Sequence, residues 1–190
     1  PTETVYGLAG NAYSKKAIKK IFKIKKRFKK NPLIIHYHNL KDAKKDVVLN
    51  QGFYKVYKKF SPGPLTFIVK KKANSKIQPI ACANLNTVGI RFPKNIIIRK
   101  ILKKLSFPLA MPSANRSTNV SPIKPLDVFD EFKNKIKIID GGISKVGIES
   151  TVLNLVGKTC ILRPGIITPK QIEKILKIKV KISSNQKIFK

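Results

Sequence analysis

The amino-acid sequence predicts an α/β or α+β domain, and two observations carry this prediction. The chain has 190 residues, a length typical of one domain that can bury a sizeable core without disulfides. Apolar residues alternate along it between helical spacing and short strand-like runs, with no repeat and no long Gly/Ser linker. No apolar run approaches the ~18 residues of a membrane helix, so we expect no membrane partner.

The first half of the chain contains two predicted amphipathic helices and three strands. Ser14 can cap a helix whose apolar face runs from Ala17 to Phe22 and which must end before Pro32. A second helix is predicted for residues 53–60, where aromatic and Val side chains recur at helical spacing. Strands are predicted where short apolar runs are bounded by turn residues, at 33–37, 65–69 and 87–92.

The second half continues this alternation up to a basic C-terminal tail. Pro125 can begin a helix with Val128, Phe129 and Phe132 facing inward. We expect one domain over residues 1–179. The other predicted elements are a helix over 97–105, strands over 107–111 and 136–142, a hairpin of 150–156 with 159–165, a helix begun by a capping box at 168–171, and the tail over 180–190.

The charge of the chain is strongly positive. Lys and Arg number 41 against 9 Asp and Glu, which gives a formal net charge of +32. One interpretation is a nucleic-acid-binding protein, because basic side chains gain affinity by releasing counterions from phosphates. The alternative, which we favour for most of the excess, is A/T-rich coding, since Lys far outnumbers Arg, and Ile and Asn are also abundant. Attraction to polyanions follows physically in either case.

Cysteine usage and missing motifs narrow the function further. Cys82 and Cys160 are far apart and have no metal-ligand spacing, so we expect free thiols in a reducing compartment and a cytoplasmic protein. There is no GxxxxGK[ST] loop, no GxGxxG, no GxSxG elbow and no His/Cys metal cluster. We therefore predict no protein metal site, and any nucleotide must be bound without the common motifs.

Polar residues collect in loops at predicted strand ends, where α/β proteins usually bind ligands. In "PTETVYG", Thr2 and Thr4 alternate on a segment that we expect to be extended, so their hydroxyls would point the same way. Thr is also simply a good strand former. "PSANRSTNVSP" offers hydroxyls, amides and backbone N–H groups that suit a phosphate, and Ser150 and Thr151 lead into a strand in "GIESTVLNL".

Arginine is informative because it is rare in so Lys-rich a chain. Arg27 lies near a helix end before an X-Pro turn, and Arg91 and Arg163 each end a strand shortly before Pro. Three such arginines would form a positively charged cleft for a phosphate or carboxylate, which the planar guanidinium binds at two points. Lys25 and His36 flank the same turn, although a solvated basic helix end and a structural strand histidine are the alternatives for them.

Taken together, these segments resemble the YrdC/Sua5 family, whose characterised members are L-threonylcarbamoyladenylate synthases. The resemblance covers residues 1 to about 178, and it is specific because several linked motifs occur in the family's order. They are "PTETVYGLA", "KKRF" with "NPLIIH", "SPGPLT", "VGIRFP", "PSANRS" with "SP", "DGG" with "GIESTV", and "LRPG".

The resemblance implies a fold, a reaction and partners. The fold is a YrdC-like twisted mixed sheet flanked by helices around a concave basic cavity. The reaction joins L-threonine, bicarbonate or CO2, and ATP into threonylcarbamoyl-AMP, with release of pyrophosphate and with Mg²⁺ brought by ATP. The product passes to a transferase complex that makes t6A at adenosine 37 of ANN-decoding tRNAs, and direct tRNA or double-stranded RNA binding is open.

The resemblance also implies roles for individual residues. Lys25 and Arg27 would act near the phosphates as the catalytic pair. The L-threonine contacts would be Thr4, His36, Arg91, Met111 and Ser150. The ATP contacts would be Arg27, Asn31, Thr87, Ser113, Asn115, Ser121 and Arg163.

Some positions depart from the family pattern. Lys26 and Phe28 stand where Gly and Pro are usual, and Thr118 replaces a Gly. The Thr118 change matters most if that position needs a positive φ. Because the family motif "PTETVYGLA" usually follows a helix and a strand, we expect about twenty preceding residues to be missing. A paralogue with another substrate, a carbamoyl-transfer domain of hydrogenase maturation proteins and a non-catalytic RNA-binding module remain as alternatives.

Overall fold

The computed structural model of the chain describes residues 1–184. Within them lie six α-helices and nine β-strands, with short 3-10 turns at Pro79–Cys82 and Lys133–Lys135. The helices are α1 (Lys15–Lys25), α2 (Leu40–Ala43), α3 (Gln51–Phe60), α4 (Ile96–Lys104), α5 (Pro125–Phe132) and α6 (Pro169–Leu176). The strands are β1 (Gly10–Asn11), β2 (Ile34–His36), β3 (Val47–Val48), β4 (Leu65–Lys71), β5 (Thr87–Arg91), β6 (Leu109–Ala110), β7 (Thr151–Asn154), β8 (Cys160–Arg163) and β9 (Lys181–Ile182).

All nine strands belong to one mixed sheet in the order β1-β6-β2-β5-β4-β7-β8-β9, with β3 paired to β4 beside this path. Three pairs are parallel, namely β2 with β5, β4 with β7, and β8 with β9. The register sets His36 opposite Arg91 and Arg91 opposite Thr66. The fold therefore gathers polar residues that are far apart in sequence at one end of the central strands.

The helices pack on the sheet through apolar faces, which arise because their apolar residues recur at helical spacing. Ser14 caps α1 by accepting a hydrogen bond from Ala17 N, and α1 buries Ile18, Ile21 and Phe22. At α6 the capping box predicted at 168–171 is formed on both sides. The strands of the sheet centre are buried on both faces, which explains why β4 reads as a continuous apolar run. Each fully buried large apolar side chain contributes about 1.5–3 kcal/mol.

Two local predictions were wrong. Residues 136–142 form no strand; instead the Tyr6 hydroxyl donates to the Gly142 carbonyl and accepts from Gly141 N, so this segment is tied to a side chain and not to a sheet edge. Phe129 is 41% exposed although Val128 and Phe132 are buried, because positions i and i+4 of a short helix share one stripe and the next position turns about 100° away.

The boundary of the predicted tail is also corrected. Val180 is buried, its N–H donates to Glu173 Oε1, and Lys181–Ile182 pair with β8. The folded unit therefore extends past residue 179, and residues 185–190 of the predicted tail lie outside the described residues. No helix in residues 1–184 combines the length and the apolar character that crossing a membrane requires.

Candidate active site

A cavity of about 810 Å³ opens at the end of the central strands where His36 and Arg91 lie. Its walls come from the 2–7 loop, the end of α1 with the loop that follows, the loop after β6, and the residues just before β7. Among the described residues that line it, five are cationic and one is a carboxylate, Glu149. The cationic residues are Lys25, Arg27, Lys30, Arg91 and Arg163.

The cavity brings together all but one of the residues that the sequence assigned to a site. The exception is Thr87, which begins β5 and pairs with Lys70, whereas Arg91 ends the same strand. At about 3.3 Å per residue, the two lie roughly 13 Å apart. Thr87 does not line the cavity, and its contact with ATP stays a prediction. The residues that do line the cavity are Thr4, Lys25, Arg27, Asn31, His36, Arg91, Met111, Ser113, Asn115, Ser121, Ser150 and Arg163.

One end of the cavity, which we call the Arg91 end, is built on a buried ion pair. Arg91 Nη2 donates to Glu3 Oε1 at 2.7 Å, and Arg91 Nε donates to the Gly63 carbonyl at 3.3 Å. Glu3 Oε2 accepts from the backbone N–H groups of Lys94 and Asn95, just before α4. Burial raises the pKa of Glu3, but the charge and hydrogen bond of Arg91 outweigh it, so the pKa lies below its ordinary value.

His36 lies at the Arg91 end as a neutral imidazole. Complete burial, and then the nearby charge of Arg91, lower its pKa to about 3. His36 Nδ1 lies 3.2 Å from the Ile34 carbonyl oxygen, and the backbone of Leu109 also hydrogen-bonds the ring. A neutral ring beside Arg91 lines the cavity without adding a second positive charge.

The hydroxyls at the Arg91 end are arranged differently from the prediction. Residues 3–5 form a bend and not an extended segment, because Thr2 Oγ1 accepts from the N–H groups of Thr4 and Val5. The Oγ1 atoms of Thr2 and Thr4 lie 2.8 Å apart and both residues are buried against the cavity. Ser150 Oγ lies 2.8 Å from Thr66 Oγ1 and accepts from Arg163 Nη2 at 3.1 Å, so Ser150 adds a third hydroxyl that also connects this end to Arg163.

The other end, which we call the Arg163 end, holds an anion supplied by the chain itself. Arg163 Nη1 is paired with Glu149 Oε2, while Nε and Nη2 donate to the Ser150 carbonyl. Ser121 Oγ donates to Glu149 Oε1 at 2.9 Å, and Ser113 also bonds the carboxylate. Burial raises the pKa of Glu149, but the charge of Arg163 and the hydrogen bonds from these hydroxyls outweigh burial. The pKa therefore lies below its ordinary value, and Glu149 stays ionised. The residues assigned to ATP phosphates thus surround a carboxylate.

Lys25 lines the cavity but does not present its ammonium freely to a ligand. It is 1% exposed, and Nζ donates to the carbonyls of Ser113 and Asn115, the former at 2.5 Å. Burial, and then the charge of Arg27, lower its pKa to about 8. Lys25 therefore ties the end of α1 to the loop after β6.

Arg27 and Asn115 shape the two loops in the same way. Arg27 donates through Nε to the Asn31 carbonyl and through Nη2 to Asn31 Oδ1 and the Pro32 carbonyl. Burial lowers the pKa of Arg27 to about 10. Asn115 Nδ2 donates to the carbonyls of Arg116 and Asn119, which closes the turn. The side chains that suggested catalysis therefore also hold the walls of the cavity in place.

Sequence reasoning missed several cavity residues. Glutamates, of which the chain has four, are as scarce as its five arginines, so the scarcity argument that selected the arginines could have selected Glu3 and Glu149 as well. Ser117 Oγ lines the cavity and is one of two buried side-chain polar atoms in residues 1–184 without a partner, Ser61 Oγ being the other. An orphan hydroxyl in a cavity is available to a ligand.

The donor set offers little for a resident metal. Residues 1–184 contain no group of three or more His, Cys, Asp or Glu that could hold a metal ion. Glu149 with the hydroxyls of Ser113 and Ser121 would suit a Mg²⁺ ion that keeps its waters and is bound mainly through substrate phosphates. The cavity therefore fits a metal that enters with a nucleotide better than one that the protein binds alone.

Known proteins are similar to this chain in sequence and fold. A family model for Sua5, YciO and YrdC proteins, described as "Telomere recombination", matches residues 1–165. The threonylcarbamoyl-AMP synthase of Pyrococcus abyssi is 40% identical over 182 residues, covering 93% of this chain and 52% of that protein. The threonylcarbamoyl-AMP synthase of Bacillus subtilis is 38% identical, covering 93% and 51% respectively.

A solved structure agrees with these matches. The crystal structure of P. abyssi Sua5 complexed with L-threonine superposes with a TM-score of 0.92 at 37% identity, covering 96% of this chain and 54% of that one. The chain thus spans about half the length of these relatives. The expected twisted mixed sheet is confirmed, and the chain belongs to the Sua5/YciO/YrdC family.

Proposed function

We propose that this domain synthesises L-threonylcarbamoyl-AMP from L-threonine, bicarbonate or CO2, and ATP. The observation that carries the proposal is a single cavity with an arginine at each end. The Arg91 end has hydroxyls and a neutral imidazole, which suit the carboxylate and hydroxyl of an amino acid. The Arg163 end has hydroxyls around an anion position, which suits phosphates.

The reaction that the family resemblance implies requires no protein nucleophile. The carboxylate oxygen of N-carboxy-threonine attacks the α-phosphorus of ATP, a new P–O bond forms, and the bond to the β-phosphate oxygen breaks to release pyrophosphate. Catalysis then consists of positioning the two reactants and stabilising negative charge. Thr4, His36, Arg91, Met111 and Ser150 would orient threonine, while Arg27, Asn31, Ser113, Asn115, Ser121 and Arg163 would serve ATP.

Three residues act at least partly by positioning other groups in this scheme. Lys25 and Arg27 hold the loops that carry the phosphate-binding hydroxyls, so they position these groups as well as adding positive charge. Glu3 fixes the guanidinium of Arg91 in one orientation. Mg²⁺ bound to the ATP phosphates would supply further charge neutralisation when present.

The wider role is a proposal of the same kind. The adenylate would pass to a transferase that forms t6A on tRNA in the cytoplasm. The net charge of +32 would draw tRNA towards the domain whether or not it binds a defined site.

The experiment is incorporation of labelled bicarbonate into an adenylate. The protein is incubated with ATP, Mg²⁺ and L-threonine, and L-serine replaces threonine in the control. A labelled adenylate that requires threonine, with an equal amount of pyrophosphate, supports the synthase. Folded protein that binds ATP but makes no labelled product contradicts it and favours a paralogue with another acceptor.

A further inference from the structure

An exposed aromatic ring stands in the wall of the proposed ATP cavity. Phe28 lies in the loop between α1 and β2 and is 80% exposed. Isolated exposed apolar side chains are common on proteins. Phe28 differs from the other large exposed hydrophobic residues in 1–184 because it alone among them lines this cavity.

The backbone that carries Phe28 is held in place on both sides. Arg27 N donates to the Phe22 carbonyl at the end of α1, and Asn31 N donates to the carbonyl of Phe28 itself at 3.0 Å. The Arg27 side chain spans the same turn to Asn31 and Pro32. The exposed ring is therefore mounted on a fixed turn, which lowers the entropy lost when a ligand covers it.

The ring is also near the correct end of the cavity. The neighbouring Arg27 guanidinium is close enough to Glu149 and Arg163 for their charges to change its pKa, which places this loop beside the Arg163 end. Tyr6 also lines the cavity, but it is buried and its hydroxyl is engaged with Gly141 and Gly142. Among the Phe and Tyr residues of 1–184 that line the cavity, Phe28 is therefore the one whose ring is exposed.

We propose that Phe28 stacks on the adenine base of ATP; this rests on the proposed function of the cavity. If the phosphates of ATP lie at Arg163, its adenine base is the part of the molecule that an exposed aromatic ring can cover. Stacking of a base on an aromatic side chain is worth about 1–3 kcal/mol.

The chain contains no Trp, which allows a direct test with Phe28→Trp. ATP should quench the fluorescence of this single indole, whereas inorganic pyrophosphate should not, because it fills only the phosphate positions. Leu126→Trp, at an exposed position on α5 that does not line the cavity, is the matched control and should respond to neither.

Affinity provides the second measurement. By calorimetry, Phe28→Ala should bind ATP roughly 5- to 150-fold more weakly and keep its affinity for pyrophosphate. Phe28→Leu should also bind ATP more weakly than wild type, because leucine restores the bulk of the side chain but not the ring. Unchanged ATP affinity in Phe28→Ala overturns the stacking role and leaves the proposed function standing. Wild-type protein that binds neither ATP nor pyrophosphate overturns both.

Discussion

The two ends of the cavity are built on the same motif, an arginine paired with a glutamate, but they differ in accessibility. At the Arg91 end the side chains of Arg91 and Glu3 are 5% and 13% exposed, and at the Arg163 end those of Arg163 and Glu149 are 20% and 30% exposed. Glu3 is also bonded by two backbone N–H groups, whereas Glu149 is bonded by hydroxyls that can rotate away.

This difference shows that an arginine–glutamate pair can serve two purposes in one chain, fixing geometry at one site and exchanging partners at another. A buried pair whose remaining lone pairs are satisfied fixes geometry, because separating it would leave a charge without solvent. A more accessible pair is weaker and can exchange partners. We infer that Glu3 is a permanent part of the Arg91 end, while Glu149 occupies the anion position until phosphates replace it.

The largest expected effect is on stability. Glu3→Ala should lower the free energy of unfolding by about 3–5 kcal/mol, because it leaves the Arg91 charge buried without its partner. Glu149→Ala, the matched change at the other end, should cost only about 1 kcal/mol, since solvent screens that pair. Denaturant unfolding of both variants measures the contrast, and equal losses would show that the two pairs are not different in kind.

The second prediction concerns pH. The folded pKa of His36 is about 3, below the unfolded value of about 6.5, so the unfolded state binds a proton first. Stability should therefore be complete above pH 6.5 and fall as the pH drops towards 3, by up to about 1.4 kcal/mol per pH unit. Glu3 and Glu149, whose folded pKa values are also lowered, add to this loss only below about pH 4.3.

The two histidines allow this to be checked within one chain. Unfolding free energies between pH 5 and 7 should lose most of their slope in His36→Gln, because only the smaller contribution of His38, whose pKa burial also lowers, remains. They should keep most of their slope in His38→Gln, whose ring is partly exposed. An undiminished slope in His36→Gln would place the acid-sensitive group elsewhere.

A smaller effect should appear in ligand affinity. In buffer without Mg²⁺, Glu149→Gln removes the charge that competes with phosphates and should tighten ATP binding by about 1 kcal/mol, roughly fivefold. The same change at Glu3 should not tighten any ligand, because Glu3 orients Arg91 and does not line the cavity. Calorimetry with ATP on both variants decides between these roles, and weaker ATP binding in Glu149→Gln would mean that its carboxylate helps ATP to bind.

The smallest effect concerns the backbone beside the Arg163 end. Thr118 has φ +81°, a conformation that a β-branched residue adopts at a cost, so the family's Gly is a better fit. Thr118→Gly should raise the free energy of unfolding by ~0.5–1 kcal/mol. Ser117→Gly, whose φ is not positive, is the control and should lower it. A loss of stability in Thr118→Gly would mean that Thr118 makes compensating contacts.

Much of the fold could be predicted because periodicity and caps are local signals. α1 and α6 were predicted with their capping residues, and the β7–β8 hairpin from its apolar runs. The two-residue strands β1, β3 and β9 could not be predicted, since such short segments have no pattern and pair only because the finished sheet offers an edge.

The site was predictable to a similar extent. Scarcity in a Lys-rich chain singled out Arg27, Arg91 and Arg163, and all three line the cavity. The burial of Lys25 had no such signal, because the family resemblance selected Lys25 but no local pattern distinguishes it from the exposed lysines around it. Thr87 does not line the cavity, because it begins β5 while Arg91 ends that strand, and its contact with ATP stays a prediction.

The most direct test of the two-ended cavity is a crossed calorimetric titration of Thr4→Val and Arg163→Ala with ATP and with L-threonine. Arg163→Ala should weaken ATP binding by about 1.5–3 kcal/mol, the range for a charged hydrogen bond, and leave threonine binding within about 0.5 kcal/mol of wild type. Thr4→Val should weaken threonine binding and spare ATP. If each variant instead loses both ligands equally, or neither loses any, the assignment of threonine to the Arg91 end and phosphates to the Arg163 end is contradicted.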